Sequence, residues 1–156
     1  MASLRIGLLD GKKLWKIRNN KIEKGFPAPL FRDPIFDGAS DPTVIWNRNE
    51  QCYYMFYTQR RSTSVQVWIS SIHGSKIGVA TSKDKKSWLY RGTLENLDIE
   101  HGHNTFWAPE ILEANGTYHM YVSYITGIPT TWEYPRHILH YTSENLWDWT
   151  YQSTLQ

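Results

Sequence analysis

The chain repeats itself, and the repeat limits its fold more than any other feature. Ile77, Thr81, Ser82, Trp88, Tyr90, Thr93 and Leu94 match Ile138, Thr142, Ser143, Trp149, Tyr151, Thr154 and Leu155 without a gap, at one constant offset of 61 residues. Two tryptophans and two Thr-Ser pairs seldom fall into one register by chance. Upstream, across a small gap, Tyr53-x-Met55-Phe56 aligns with Tyr118-x-Met120-Tyr121, and Pro42 aligns with Pro109. Repeats of this length made of short apolar runs indicate stacked β-units, as propeller blades or a β-solenoid, and not a helical array.

Each unit divides into four strands. The runs predict strands at 43–46, 52–58, 76–81 and 88–93 in the first unit, and at 110–113, 118–124, 137–142 and 149–153 in the second. Breaker residues fall between them, at Asn47-Arg48-Asn49-Glu50, Lys83-Asp84-Lys85-Lys86 and Asn115-Gly116. Asn115-Gly116-Thr117 also reads as a glycosylation acceptor, but a tight hairpin turn explains the same residues more simply. Four short strands per unit is the anatomy of a propeller blade. The expected class is therefore all-β, with blade one at about 41–94, blade two at about 105–155, and residues 1–38 as an N-terminal arm or connector. That arm holds Pro27, Pro29 and Pro34 and at most one short helix around residues 14–24. Insertions at 62–74 and 127–135 occupy the same place in the two blades, between the second and third strands.

Composition excludes several classes. A net charge of +2 is too small to argue for nucleic acid or an anionic membrane, and the basic residues near the start read as a solvated face. One cysteine, Cys52, leaves no internal disulfide and reads as a small buried residue. No stretch is long enough to span a membrane, and residues 1–9 lack the apolar region and cleavage site of a signal peptide, which leaves the location open. There is no Gly-rich phosphate loop, no Cys/His zinc spacing and no Gly-x-Ser-x-Gly elbow. Aromatic residues make up 15% of the chain, a share that suits strands and flat ligands.

Two carboxylates stand beside prolines at the mouths of inner strands, Asp41 before Pro42 and Glu110 after Pro109. Inner strands of a propeller open beside its channel, so both acids are expected at equivalent points around it. Hydrolysis of a glycosidic bond needs two carboxyl groups, roughly 6.5–9.5 Å apart in inverting enzymes. Spacing alone leaves a second reading open, in which Asp41 caps a turn and Glu110 faces solvent.

Asp41-Pro42-Thr43-Val44-Ile45 and Phe106-Trp107-Ala108-Pro109-Glu110-Ile111, followed by an Asn-Gly hairpin, resemble glycoside hydrolase family 43 and the neighbouring five-bladed propeller families. Those families act on furanosides, xylosides and algal sugars. The resemblance runs from about Gly38 to Leu155. It implies two blades of an expected five, with Asp41 as general base and Glu110 as the acid that orients the general acid and tunes it. Family members often have aspartate at the second position. The family's general acid lies on a later blade; Glu133 and Glu144 fall in a loop and a turn and are not promoted to that role. The resemblance thus implies an inverting glycosidase of plant or algal saccharides. Its general acid would come from further blades or from another chain in a homo-oligomer. The alternative is a carbohydrate-binding or self-assembling half-propeller. Trp107, His103, Asn104 and Arg60 are the expected substrate-binding residues. His101 and His103 without a third ligand make no metal site. No cofactor is implied, although relatives sometimes hold calcium in the channel.

Overall fold

The computed structural model describes residues 6–9, 13–18, 21–24, 29–61, 69 and 72–155. Two four-stranded antiparallel sheets carry most of them. The first runs in the order β4 (Asp37–Asn47), β5 (Cys52–Arg61), β6 (Lys76–Ser82), β7 (Leu89–Thr93). The second repeats it with β8 (Thr105–Ala114), β9 (Thr117–Ile125), β10 (His137–Ser143) and β11 (Thr150–Leu155). These are the two expected blades. A third sheet is formed by β1 (Ile6–Leu9), β2 (Lys13–Arg18) and β3 (Lys21–Lys24), paired in sequence order. It replaces the short helix expected around residues 14–24. Arg18 stands opposite Lys21 in the pairing of β2 with β3, and β2 pairs with β1 on its other side. The insertion at 62–74 falls mostly outside the described residues.

The inner strands are longer than their apolar runs, because pairing continues past the proline. In β4 the register to β5 shifts between Ser40 and Thr43; in β8 the register to β9 shifts between Trp107 and Glu110. Each shift is a bulge, which accommodates a residue with no N–H to give to the ladder. The residue before each proline takes a left-handed backbone, with φ 50° at Asp41 and 48° at Ala108.

One core serves both blades. Tyr54, Phe56, Ile77 and Val79 of blade one pack with Phe106, Met120, Val122, Leu139 and Tyr141 of blade two. Each fully buried side chain of this size contributes about 1.5–3 kcal/mol. Trp149 meets Phe56 edge-on from the second blade, with ring centroids 6.1 Å apart. Its repeat mate Trp88 lies elsewhere, against Met55, Tyr57 and Ala80 on the far face of blade one. Polar groups join the blades at one end. The Tyr118 hydroxyl donates to the Trp46 carbonyl and accepts from the Arg48 N–H, both at 3.1 Å, while Asn47 donates to the Asn145 carbonyl at 3.0 Å.

Repeated turns close the outer hairpins. The Ser82 hydroxyl accepts the N–H groups of Asp84 and Lys85, and the Asp84 carboxylate accepts those of Lys86 and Ser87. Ser143 and Asn145 do the same for Asn145, Leu146, Trp147 and Asp148. Asn115 and Gly116 both have positive φ, the geometry of a tight two-residue hairpin. Ahead of blade one, Asp33 is 2% exposed and accepts from Tyr57, Gln59 and the N–H groups of Ile35 and Phe36. Tyr57 reaches it by crossing Gly78, where an added Cβ would lie 2.3 Å from the ring. On the far face of blade two, His119 and His140 share a 2.9 Å hydrogen bond, and Tyr121 stacks on His140.

Candidate active site

The two bulges meet across one hydroxyl. Thr58, on β5 and 3% exposed, donates to the Asp41 carboxylate at 3.4 Å and accepts the Ala108 N–H at 2.8 Å. Asp41 belongs to blade one and Ala108 to blade two, so this contact also ties the blades at the mouth of their inner strands. A cleft of about 340 Å³ opens there. Asp41 supplies its carboxylate, Arg60 lines it with a guanidinium, and Ser40, Thr58 and Ser123 add hydroxyls.

Aromatic rings form one wall. The Trp107 indole N–H donates to the Ile72 carbonyl at 2.8 Å, which fixes the ring and leaves its face for contact. His73 lies 4.8 Å from it and Trp132 lies 6.4 Å from it, centroid to centroid. Trp132 is 53% exposed and lines the cleft. An acidic group, a cation, hydroxyls and exposed indole faces suit a polyhydroxylated ring, which offers C–H groups to aromatic faces and O–H groups to polar side chains. Among the described residues, no three His, Cys, Asp or Glu side chains gather as a metal site.

Three expected site residues stand elsewhere. Glu110 does not occupy the point equivalent to Asp41. Because the bulges superpose through Pro42 and Pro109, the counterpart of Asp41 is Ala108, and Glu110 corresponds to Thr43. Its exposed side chain follows the bulge, beside the pairing with Tyr121, and does not line the cleft. His103 shares a 3.0 Å hydrogen bond with the Gly74 carbonyl and so braces a loop. Asn104 is 1% exposed; its amide donates to Asp98 and the Glu100 carbonyl and accepts from the Gly127 N–H. With those bonds made it organises the approach to β8 and does not face a ligand. Thr58, Ser123 and Trp132 line the cleft without having been singled out from the sequence. Thr58 and Ser123 are repeat mates, and Trp132 lies in the aromatic insertion at 127–135, so the signals were present but indirect.

A second groove, about 550 Å³, runs over the far face of blade one between Pro42, Val44, Trp46, Tyr53, Met55 and Trp88. Lys85 is the charged group along it, and no carboxylate lines it. It lacks the acid that hydrolysis requires.

No family model and no curated protein matches the chain in sequence. Solved structures do match in fold. A family 117 glycoside hydrolase produced by the marine bacterium Zobellia galactanivorans superposes with a TM-score of 0.57 at 19% identity, over 80% of this chain and 41% of its own. A family 43 β-1,3-galactosidase with galactodeoxynojirimycin gives 0.57 at 14% identity, over 81% of this chain and 37% of its own. An α-L-arabinanase from Penicillium chrysogenum, complexed with arabinobiose, gives 0.53 at 11% identity, over 88% and 39%. The chain spans less than half the length of each. Its two blades have the fold of the glycoside hydrolase β-propellers, and its cleft opens between the first two inner strands of that fold.

Proposed function

We propose that this chain is the base-bearing part of an inverting glycoside hydrolase acting on arabinofuranosides or xylosides of plant or algal polysaccharides. The observation that carries the reading is Asp41. Its carboxylate is held at a bulge apex by Thr58, exposed to a cleft walled by Trp107 and Trp132. In the proposed reaction Asp41 takes a proton from a water on one face of the sugar, the water attacks the anomeric carbon, and the departing oxygen receives a proton from a second carboxylic acid. Arg60 orients a sugar hydroxyl, and the indoles hold the ring. The second acid comes from another blade, because Asp41 is the sole carboxylate that lines this cleft among the described residues.

That last fact also favours a second reading, a sugar-binding module without turnover. The two separate in one experiment on dinitrophenyl arabinofuranosides and xylosides, whose leaving group departs as the anion and so needs no general acid. Enzymatic function predicts turnover that falls about 10²–10⁴-fold in Asp41→Asn while the circular dichroism stays native. Undiminished turnover in that variant sinks the assignment of Asp41. Binding of arabino- or xylo-oligosaccharides that is lost in Trp132→Ala, with no turnover in the parent chain, selects the binding module.

A further inference from the structure

We propose that His73 is the positioning residue of the cleft, its ring holding the Trp107 and Trp132 indoles in the arrangement that a sugar meets. The part it plays in sugar binding rests on the reading of the cleft given above; the placement of the indoles stands apart from that reading.

The segment that carries His73 belongs to blade one by sequence and to blade two by its bonds. The Phe106 N–H donates to the Ser75 carbonyl at 2.9 Å, and the Ser75 hydroxyl donates to the Phe106 carbonyl at 2.8 Å. The Gly74 N–H donates to the Thr105 hydroxyl at 2.7 Å, whose own proton goes to the Gly127 carbonyl at 2.8 Å. His103 holds the Gly74 carbonyl, and the Trp107 indole holds that of Ile72. Residues 72, 74 and 75 are thus each tied to β8 or to the loop before it. Gly74 is required at its position, since its φ is +68° and an added Cβ would lie 2.9 Å from Ile128.

His73 stands among these ties with its side chain turned to the aromatic wall. It is 1% exposed. Its Nδ1 donates to the Ile69 carbonyl at 2.9 Å, and the same carbonyl accepts the N–H groups of Ile72 and His73, so the ring is fixed in one orientation. Its plane is tilted by 47° to Trp107 and by 58° to Trp132, with the Trp132 centroid 5.9 Å away. Trp107 has an anchor of its own in the bond to Ile72. Trp132 is half-exposed, and its aromatic neighbours among the described residues are His73 and Trp107. An exposed indole samples several rotamers unless a neighbour selects one. Ordering one such side chain at the moment of binding weakens affinity by about 2–10-fold. His73 makes that selection in the free protein. An aliphatic residue could fill the space, but it would offer the indoles no ring edge and the Ile69 carbonyl no proton.

The test reads the indole pair directly. Indoles 6.4 Å apart couple, so the parent chain is expected to show an exciton couplet in circular dichroism that Trp132→Phe removes. His73→Asn keeps an N–H for the Ile69 carbonyl and loses the ring; it is expected to lose the couplet while the strand signal stays native. His73→Leu takes its place if that strand signal is not native. His73→Phe keeps the ring and is expected to keep most of the couplet. A parent chain without that couplet overturns the proposal, as does a full couplet in the ringless variant or its loss in His73→Phe. Calorimetric titration with xylo- and arabino-oligosaccharides reads the consequence. The ringless variant is expected to bind about 2–10-fold more weakly than the parent, and His73→Phe close to it. Equal affinity in the ringless variant overturns the role of His73 in binding. A parent chain that binds neither sugar overturns the reading of the cleft and that role with it, while the couplet still decides the placement.

Discussion

Thr58 carries more of the site than its size suggests. Its hydroxyl is the one group touching both the Asp41 carboxylate and the Ala108 N–H. Replacing it with valine keeps the shape and removes the acceptor of the Ala108 N–H at the cleft, a hydrogen bond of about 0.5–1.5 kcal/mol. Thr58→Val is therefore expected to lower the unfolding free energy by that amount in urea titration, and Thr58→Ser to restore most of it. Gly78 is constrained by close approach in the same blade. Gly78→Ala drives a Cβ into the Tyr57 ring, which is held by Asp33 and backed by the core, so a loss of about 1–3 kcal/mol is expected in the same assay. That Asp41, Arg60 and Trp107 share a cleft was legible from acids, cations and aromatics flanking inner strands. Glu110 follows its proline where Asp41 precedes one, so the two acids stand on opposite sides of equivalent bulges. Thr58 was legible only indirectly, as the repeat mate of Ser123, since its partners are 17 and 50 residues away and only the folded register brings them together.

At the scale of elements, apolar and aromatic alternation located all eight blade strands, while the prolines hid how far the inner ones extend. A proline ends a ladder in most contexts, and here a bulge carries the pairing past it. The arm was expected to hold at most one short helix around residues 14–24, and the antiparallel pairing of β2 with β3 stands there instead. The outer turns make a comparison of their own, since Asp84 in blade one and Asn145 in blade two accept the same pair of N–H groups. Those donors, from Ser87 and then Lys86, pull the Asp84 carboxyl down from 3.8 to about 2. A depressed carboxyl contributes stability above its unfolded value and loses it as pH falls toward its folded one. Melting temperature is thus expected to drop between about pH 4 and pH 2. Asp84→Asn, which copies blade two, is expected to flatten part of that drop and leave the neutral melting temperature nearly unchanged.

For the whole molecule, the shared core means that neither blade has a finished interior alone. Phe106 is fully buried where both blades contribute, packed against Tyr124 at 5.2 Å. Phe106→Ala is expected to cost about 3–5 kcal/mol, and tryptophan fluorescence and far-ultraviolet dichroism are expected to report the same transition before and after the change. Two separate transitions would mean that the blades fold as independent units. The histidine stack on the far face of blade two has a consequence at this scale too. Burial, and then the neighbouring His119, lower the basicity of His140, which favours its uncharged form beside the rings it stacks on. Acid strong enough to protonate His140 therefore puts a charge on a face shared with Tyr121 and Glu110. The stack thus makes this face of blade two more polar in acid than at neutral pH, a change that proton titration of the His140 ring by NMR checks.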